Sequence, residues 1–227
     1  MINTILFALF PYVALTVCLV GCWIRFDREQ YTWRAGSSQL LRSKGMVFAS
    51  NSFHIGIIFV LSGHFIGLLT PEPIYHYVIS TADKQLLAMV SGGVFGGLCF
   101  VGLSMLLYRR ITDERISATG SRSDLMILVL LYVQLLLGLA TIVISTQHMD
   151  GSVMLMLGNW AQSIVTLQPA QAAASIANVH IIYKLHVFFG VSLVLVFPFT
   201  RLVHIISAPI WYFGRSYQIV RQKKTNR

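Results

Sequence analysis

From Gly45 to Pro71 the chain carries no Asp, Glu, Lys or Arg, yet the stretch holds two histidines, His54 and His64. Crossing a bilayer takes roughly 20 apolar residues at about 1.5 Å of rise each, so this stretch is long enough to span one. Three further runs are as uninterrupted, at about 3–24, 85–108 and 125–146. A fifth, about 182–207, is apolar apart from Lys184 and Arg201 near its ends, where long cationic side chains reach headgroups. In lipid every backbone polar group must be satisfied within the segment, so open runs of this kind cross as helices. The sequence therefore predicts an all-α integral membrane protein, a single domain of five transmembrane helices over 1–227 ending in a basic tail at 208–227.

Composition agrees. Of 227 residues, 56% are hydrophobic and 11% charged, whereas a soluble domain carries about 25% charged residues. A net charge of +9 would ordinarily raise nucleic acid as a partner. Its distribution argues against that. Lys and Arg number five in 25–45, four in 109–123 and five after 207, against one in 70–84 (Lys84) and none in 147–180. By the positive-inside rule the N-terminus lies outside and the C-terminus in the cytoplasm. The basic face would meet anionic lipid and, in a sharper reading, a cytoplasmic partner.

Other features carry less. Cys18, Cys22 and Cys99 all lie in apolar runs, with no C-x-x-C-H and no metal-type grouping, and read as small core residues. "LVGC" at 19–22 resembles a lipoprotein cleavage box, but no basic residue precedes the apolar stretch, so the first run is expected to remain as an anchor. Gly92, Gly93, Gly96 and Gly97 repeat at four-residue spacing, which suits close helix packing. A flat cofactor against that face is the alternative.

The histidines are the informative residues. Four of the seven lie within spans, His54 and His64 in the second, His186 and His204 in the fifth. A polar ring in lipid is costly without a partner, which makes each a functional candidate. On one continuous helix His186 and His204 are five turns apart, about 27 Å on one face. His54 and His64 are about 15 Å apart and rotated by about 80°. Spans two and five run in opposite directions, so His64 pairs with His186 near the outer side and His54 with His204 near the inner side. The unequal separations require the two helices to be tilted.

Two facing imidazoles suit a haem iron, which takes one axial ligand on each face. Zinc would want more ligands, usually Cys or carboxylate among them, and spans two and five supply neither. Gly56, Gly63, Gly67 and Gly190 lie within four residues of these histidines and leave room for a macrocycle. Two b-type haems, passing electrons rather than binding oxygen, are the expected cofactors.

"YTWRAGSSQLL", "NSFHIGIIFVLSGHFIGLLTP", "QHMDG", "WAQSIVT", "LHVFFG" and "FPFTRLVHIISAP" together resemble the membrane cytochrome b (gamma) subunit of respiratory nitrate reductase, over nearly the whole chain. The resemblance implies five spans in the bacterial inner membrane, a periplasmic N-terminus and two bis-histidine haems. The outer (distal) haem would take His64 and His186, the inner (proximal) haem His54 and His204. It further implies quinol oxidation near the outer haem, with Gly63, His64 and Lys84 at the quinol site. Electrons would pass inward to an iron–sulfur beta subunit and on to a molybdenum-containing alpha subunit that reduces nitrate.

Some residues stay open between two readings. Arg201 either pairs with an inner haem propionate or anchors its helix. His148 and Asp150 of "QHMDG" either make loop hydrogen bonds or border the quinol entrance, and His76 and His180 read as surface residues. The tail "SYQIVRQKK" is expected to dock the iron–sulfur subunit. Two rival functions remain: a di-haem anchor for another iron–sulfur enzyme, of formate dehydrogenase, hydrogenase or sulfur-metabolism type, and a non-haem transporter or anchor, which would be colourless.

Overall fold

The computed structural model describes residues 1–29, 33, 44–206 and 214. Among the described residues the regular elements are all helical. Five are long and apolar enough to cross a membrane: α1 (Ile2–Arg28), α2 (Met46–Leu69), α4 (Thr81–Thr112), α6 (Arg122–Ser145) and α9 (Ile181–Val196), the last continued by a 3₁₀ turn, Phe197–Phe199. Shorter helices fill the connections: α3 (Glu72–Tyr75), α5 (Glu114–Thr119), α7 (Ser152–Val165) and α8 (Pro169–Ser175). The tail 215–227 lies outside the described residues.

The helices start where the sequence supplies caps. Ser80 accepts the amide of Asp83 at the head of α4, and Ser121 with Asp124 forms a reciprocal capping box at the head of α6. Arg110 on the last turns of α4 reaches the Ile116 carbonyl (3.1 Å) and the Asp124 carboxylate (3.5 Å), which ties that short basic connection together.

Close packing links α2 with α4, α4 with α6, α6 with α9 and α9 with α1. Lipid offers no hydrophobic drive between helices, so small residues decide the contacts. A Cβ at Gly56 would fall 2.6 Å from the Cys99 amide, and one at Gly102 2.7 Å from the Ala49 carbonyl, so α2 and α4 cross backbone against backbone. The glycine cluster on α4 divides by face. Gly92 and Gly96 meet Ile142 and Leu139 of α6, while nothing lies within 4 Å of a Cβ at Gly93 or Gly97.

The buried apolar cluster sits at the end of the bundle that carries the connection without Lys or Arg, where Phe7, Val153, Ile176, Val179 and Tyr183 meet. Here α7 is laced to the spans through broken backbone ladders. Pro11 has no N–H to give the Phe7 carbonyl, α1 opens into a π-type turn over Ile5–Leu9, and the Trp160 indole donates to that carbonyl instead (2.8 Å). Gln162 donates to the Leu68 carbonyl at the end of α2 (3.0 Å), and Tyr12 to the Ile164 carbonyl (3.1 Å). Gln85 closes the end of α6 through the Ser145 and His148 carbonyls, at 3.3 and 2.6 Å.

The fifth span departs from expectation. It is not one rod over 182–207: α9 ends at Val196, Pro198 follows within a 3₁₀ turn, Thr200 is extended, and a second 3₁₀ segment runs over Arg201–Ile205. Proline cannot continue an α-helical ladder. The carbonyls released there are taken up by Arg25 of α1, whose Nη1 donates to Pro198 O (2.6 Å) and Thr200 O (3.0 Å). Gly21, one turn earlier on α1, lets the Pro198 ring in; a Cβ there would sit 2.8 Å from Cγ. The five-turn phasing of His186 and His204 therefore does not describe the chain.

Candidate haem-binding site

Both cross-helix histidine pairs are nonetheless formed. His64 of α2 faces His186 of α9 with ring centres 5.9 Å apart, and His54 of α2 faces His204 of the second 3₁₀ segment at 6.3 Å. The break in the fifth span also removes the mismatch between the two separations, since His204 need not lie on the axis of α9.

The hydrogen bonds choose the tautomers. His54 Nδ1 is 2.7 Å from the Ser50 carbonyl, His64 Nδ1 2.8 Å from the Val60 carbonyl, and His204 Nδ1 2.6 Å from the Arg201 carbonyl. A carbonyl only accepts, so Nδ1 carries the proton and donates it, and Nε2 is left with a bare lone pair. That is the second-shell arrangement of a metal-ligating imidazole. His186 differs: its Nδ1 is buried without a hydrogen-bond partner, and its ring lies against α6, where a Cβ at Gly138 would come within 3.0 Å of Cε1.

These donors can be tested for fit to a metal held end-on between two rings. A metal–imidazole bond of about 2 Å and about 1 Å from nitrogen to ring centre, counted twice, place the centres about 6 Å apart. Both pairs meet that spacing. Among the described residues no group of three or more His, Cys, Asp or Glu could hold a metal ion. Two opposed neutral imidazoles are the axial donor set of a six-coordinate haem, and the residues fit it.

Beside His64 a groove of about 640 Å³ opens between α2 and α7, lined by residues that include Leu61, Ser62, His64, Phe65, Leu69 and Ala161. It is shallow and open to the surroundings rather than an enclosed cavity. Gly63 presents bare backbone next to it, with nothing within 4 Å of a Cβ. Lys84 is not among the residues that line this groove. Its ammonium stands 3.6 Å from the centre of the Tyr75 ring, a cation–π contact, and the Tyr75 hydroxyl pairs with Thr81 (3.1 Å).

Comparison with known proteins gives the family. The family described as Nitrate reductase gamma subunit matches residues 3–223. The chain belongs to the nitrate reductase gamma subunit family. The respiratory nitrate reductase 2 gamma chain of Escherichia coli K12 is 47% identical over 223 residues, 98% of each chain. The respiratory nitrate reductase 1 gamma chain of the same organism is 48% identical over 222 residues, again 98% of each. The nitrate reductase gamma chain of Bacillus subtilis 168 is 34% identical over 224 residues, 98% of this chain and all of that one. This gamma subunit is thus a multi-pass membrane component of an oxidoreductase complex.

Of the residues singled out from sequence, the structure brings together His64 with His186 and His54 with His204; Gly63 adjoins His64 in the chain but, like Lys84, does not line the groove. Arg201 supplies its carbonyl to His204, a role that sequence reading missed. Asp150 accepts from the Ser152 amide (3.2 Å) and hydroxyl (2.8 Å) at the head of α7, the loop hydrogen bonds of the plainer reading. His76 pairs with Glu72 at 3.5 Å, and the His180 ring caps α9 by accepting from the Ile182 amide. Sequence reading also missed Arg25, Gln85, Trp160 and Gln162. The available signal was a polar side chain near a proline or a helix end.

Proposed function

We propose that this gamma subunit is a di-haem b-type cytochrome that oxidises quinol near the outer face of the bacterial inner membrane and passes the electrons inward to an iron–sulfur subunit. That subunit feeds a molybdenum-containing partner which reduces nitrate. The observation that carries the reading is the pair of opposed imidazole couples, three of whose four rings have Nδ1 committed to backbone carbonyls. His64 and His186 would hold the outer haem, and His54 and His204 the inner one. When bound, such haems would supply one-electron carriers rather than oxygen-binding centres.

The chain's own residues account for the rest. The apolar groove at His64 admits a quinol ring from the lipid, and the bare backbone of Gly63 lets a flat ring come close. Lys84, in the first turn of α4 at the same end, offers an ammonium to a quinol oxygen, with Tyr75 holding it in place. Each quinol gives up two protons and two electrons. With this end outside, as the basic connections at the other end support, the protons leave to the outside while the electrons go in, and charge is separated.

Arg201, three residues before His204, pairs with an inner haem propionate in this reading. Arg201→Gln should then lower the inner haem potential alone. The basic tail docks the iron–sulfur subunit, and a chain cut after residue 207 should no longer copurify with it.

The direct test is alanine substitution of His54, His64, His186 and His204 one at a time, with dithionite-reduced spectra of the membranes. Each change should remove one of two b-type centres. A wild-type chain without a reduced alpha-band, or four variants with wild-type spectra, would refute the reading. Quinol-dependent nitrate reduction by the purified assembly separates nitrate reductase from other iron–sulfur partners.

A further inference from the structure

His186 is the exception among the four rings, and its surroundings suggest why. Its Nδ1 is buried with no partner, and so is the side-chain oxygen of Gln134 on the facing helix α6. One is a donor without an acceptor once Nε2 is committed; the other is an acceptor without a donor. Gly138 and Gly190 make room for the two groups. A Cβ at Gly138 would press on the His186 ring, at 3.0 Å from Cε1, and one at Gly190 would press on the Gln134 amide, at 3.1 Å from Nε2. Because 134 and 138 are one turn apart on α6, and 186 and 190 one turn apart on α9, the two side chains occupy a single strip of the α6–α9 interface. The Gln134 main-chain carbonyl also comes near the His186 ring, without the geometry that would satisfy Nδ1. Gln134 is the one amide side chain of the run 125–146, and a buried amide with an unused oxygen is destabilising until a hydrogen bond satisfies it.

We propose that Gln134 is the positioning residue of the outer site: its side-chain oxygen accepts the Nδ1–H of His186, fixing that ring with Nε2 toward His64. The inference rests on the di-haem reading above and adds a residue from a third span to it. Gln134 lies one turn, about 5.4 Å along the axis, from Gly138, which packs on the His186 ring, a span that a glutamine side chain is long enough to cover. The other three rings are held by carbonyls of their own segments, whereas His186 is tuned from α6. An acceptor at Nδ1 raises the basicity of the ligating nitrogen and stabilises the oxidised centre.

The test is a redox titration of the alpha-band in membranes containing the full complex, for wild type, Gln134→Leu and Gln134→Glu. Leu should shift the outer centre upward and Glu, with a stronger acceptor of the same shape, downward, while the inner centre stays at its wild-type value. The low-spin ferric resonance of the outer centre should move with the potential. An outer centre unmoved in both variants, or two centres moved together in the same direction, overturns the assignment while leaving the di-haem reading intact. A wild-type complex without haem overturns both.

Discussion

A single carboxylate shows how local chemistry reports on this fold. Asp150 is held below the usual carboxylate range because its oxygen accepts both the Ser152 hydroxyl and amide. A folded value below the ordinary one of about 3.9 means that the bond stabilises α7 above that pH and is lost as pH falls through the lower folded value. Asp150→Ala should therefore speed hydrogen exchange of the first-turn amides of α7 at neutral pH, and the difference from wild type should vanish in strong acid. The histidine partners were legible at this scale because charge-free runs leave few polar groups to choose among. Their tautomers were not, since Ser50, Val60 and Arg201 contribute only backbone oxygens, and every residue has one of those.

Among elements, the spans were readable from hydropathy and the break in the fifth was not. Pro198 sits so near the end of that run that hydropathy carries straight through it, and the compensating donor, Arg25, lies on a helix 173 residues away in sequence. Arg25→Met would leave the Pro198 and Thr200 carbonyls without that donor, at about 1–3 kcal/mol for each buried group. The segment carrying His204 should loosen, and the inner centre should lose occupancy in reduced spectra while the outer one keeps it. The α2–α4 crossing makes a second prediction. Gly102→Val forces side-chain atoms into the Ala49–Phe53 backbone, and overpacking of this kind costs about 1–3 kcal/mol or more. Its melting temperature in detergent should fall, whereas Gly97→Val, on the open side of the same helix, should leave it unchanged.

For the whole molecule, the uneven distribution of basic residues makes orientation a measurable quantity. In intact cells, a cysteine replacing Ala174 should react with an impermeant maleimide, and one replacing Ser117 should react only after lysis. The reverse pattern would place the groove at His64 on the cytoplasmic side and remove the proton-release scheme. The broken fifth span bears on biogenesis as well. In the di-haem reading, His186 is in place once α9 inserts, whereas His204 waits until the break at Pro198 and Thr200 has settled against Arg25. Cofactor loading should accordingly proceed in two stages, the distal centre maturing first and the proximal one last.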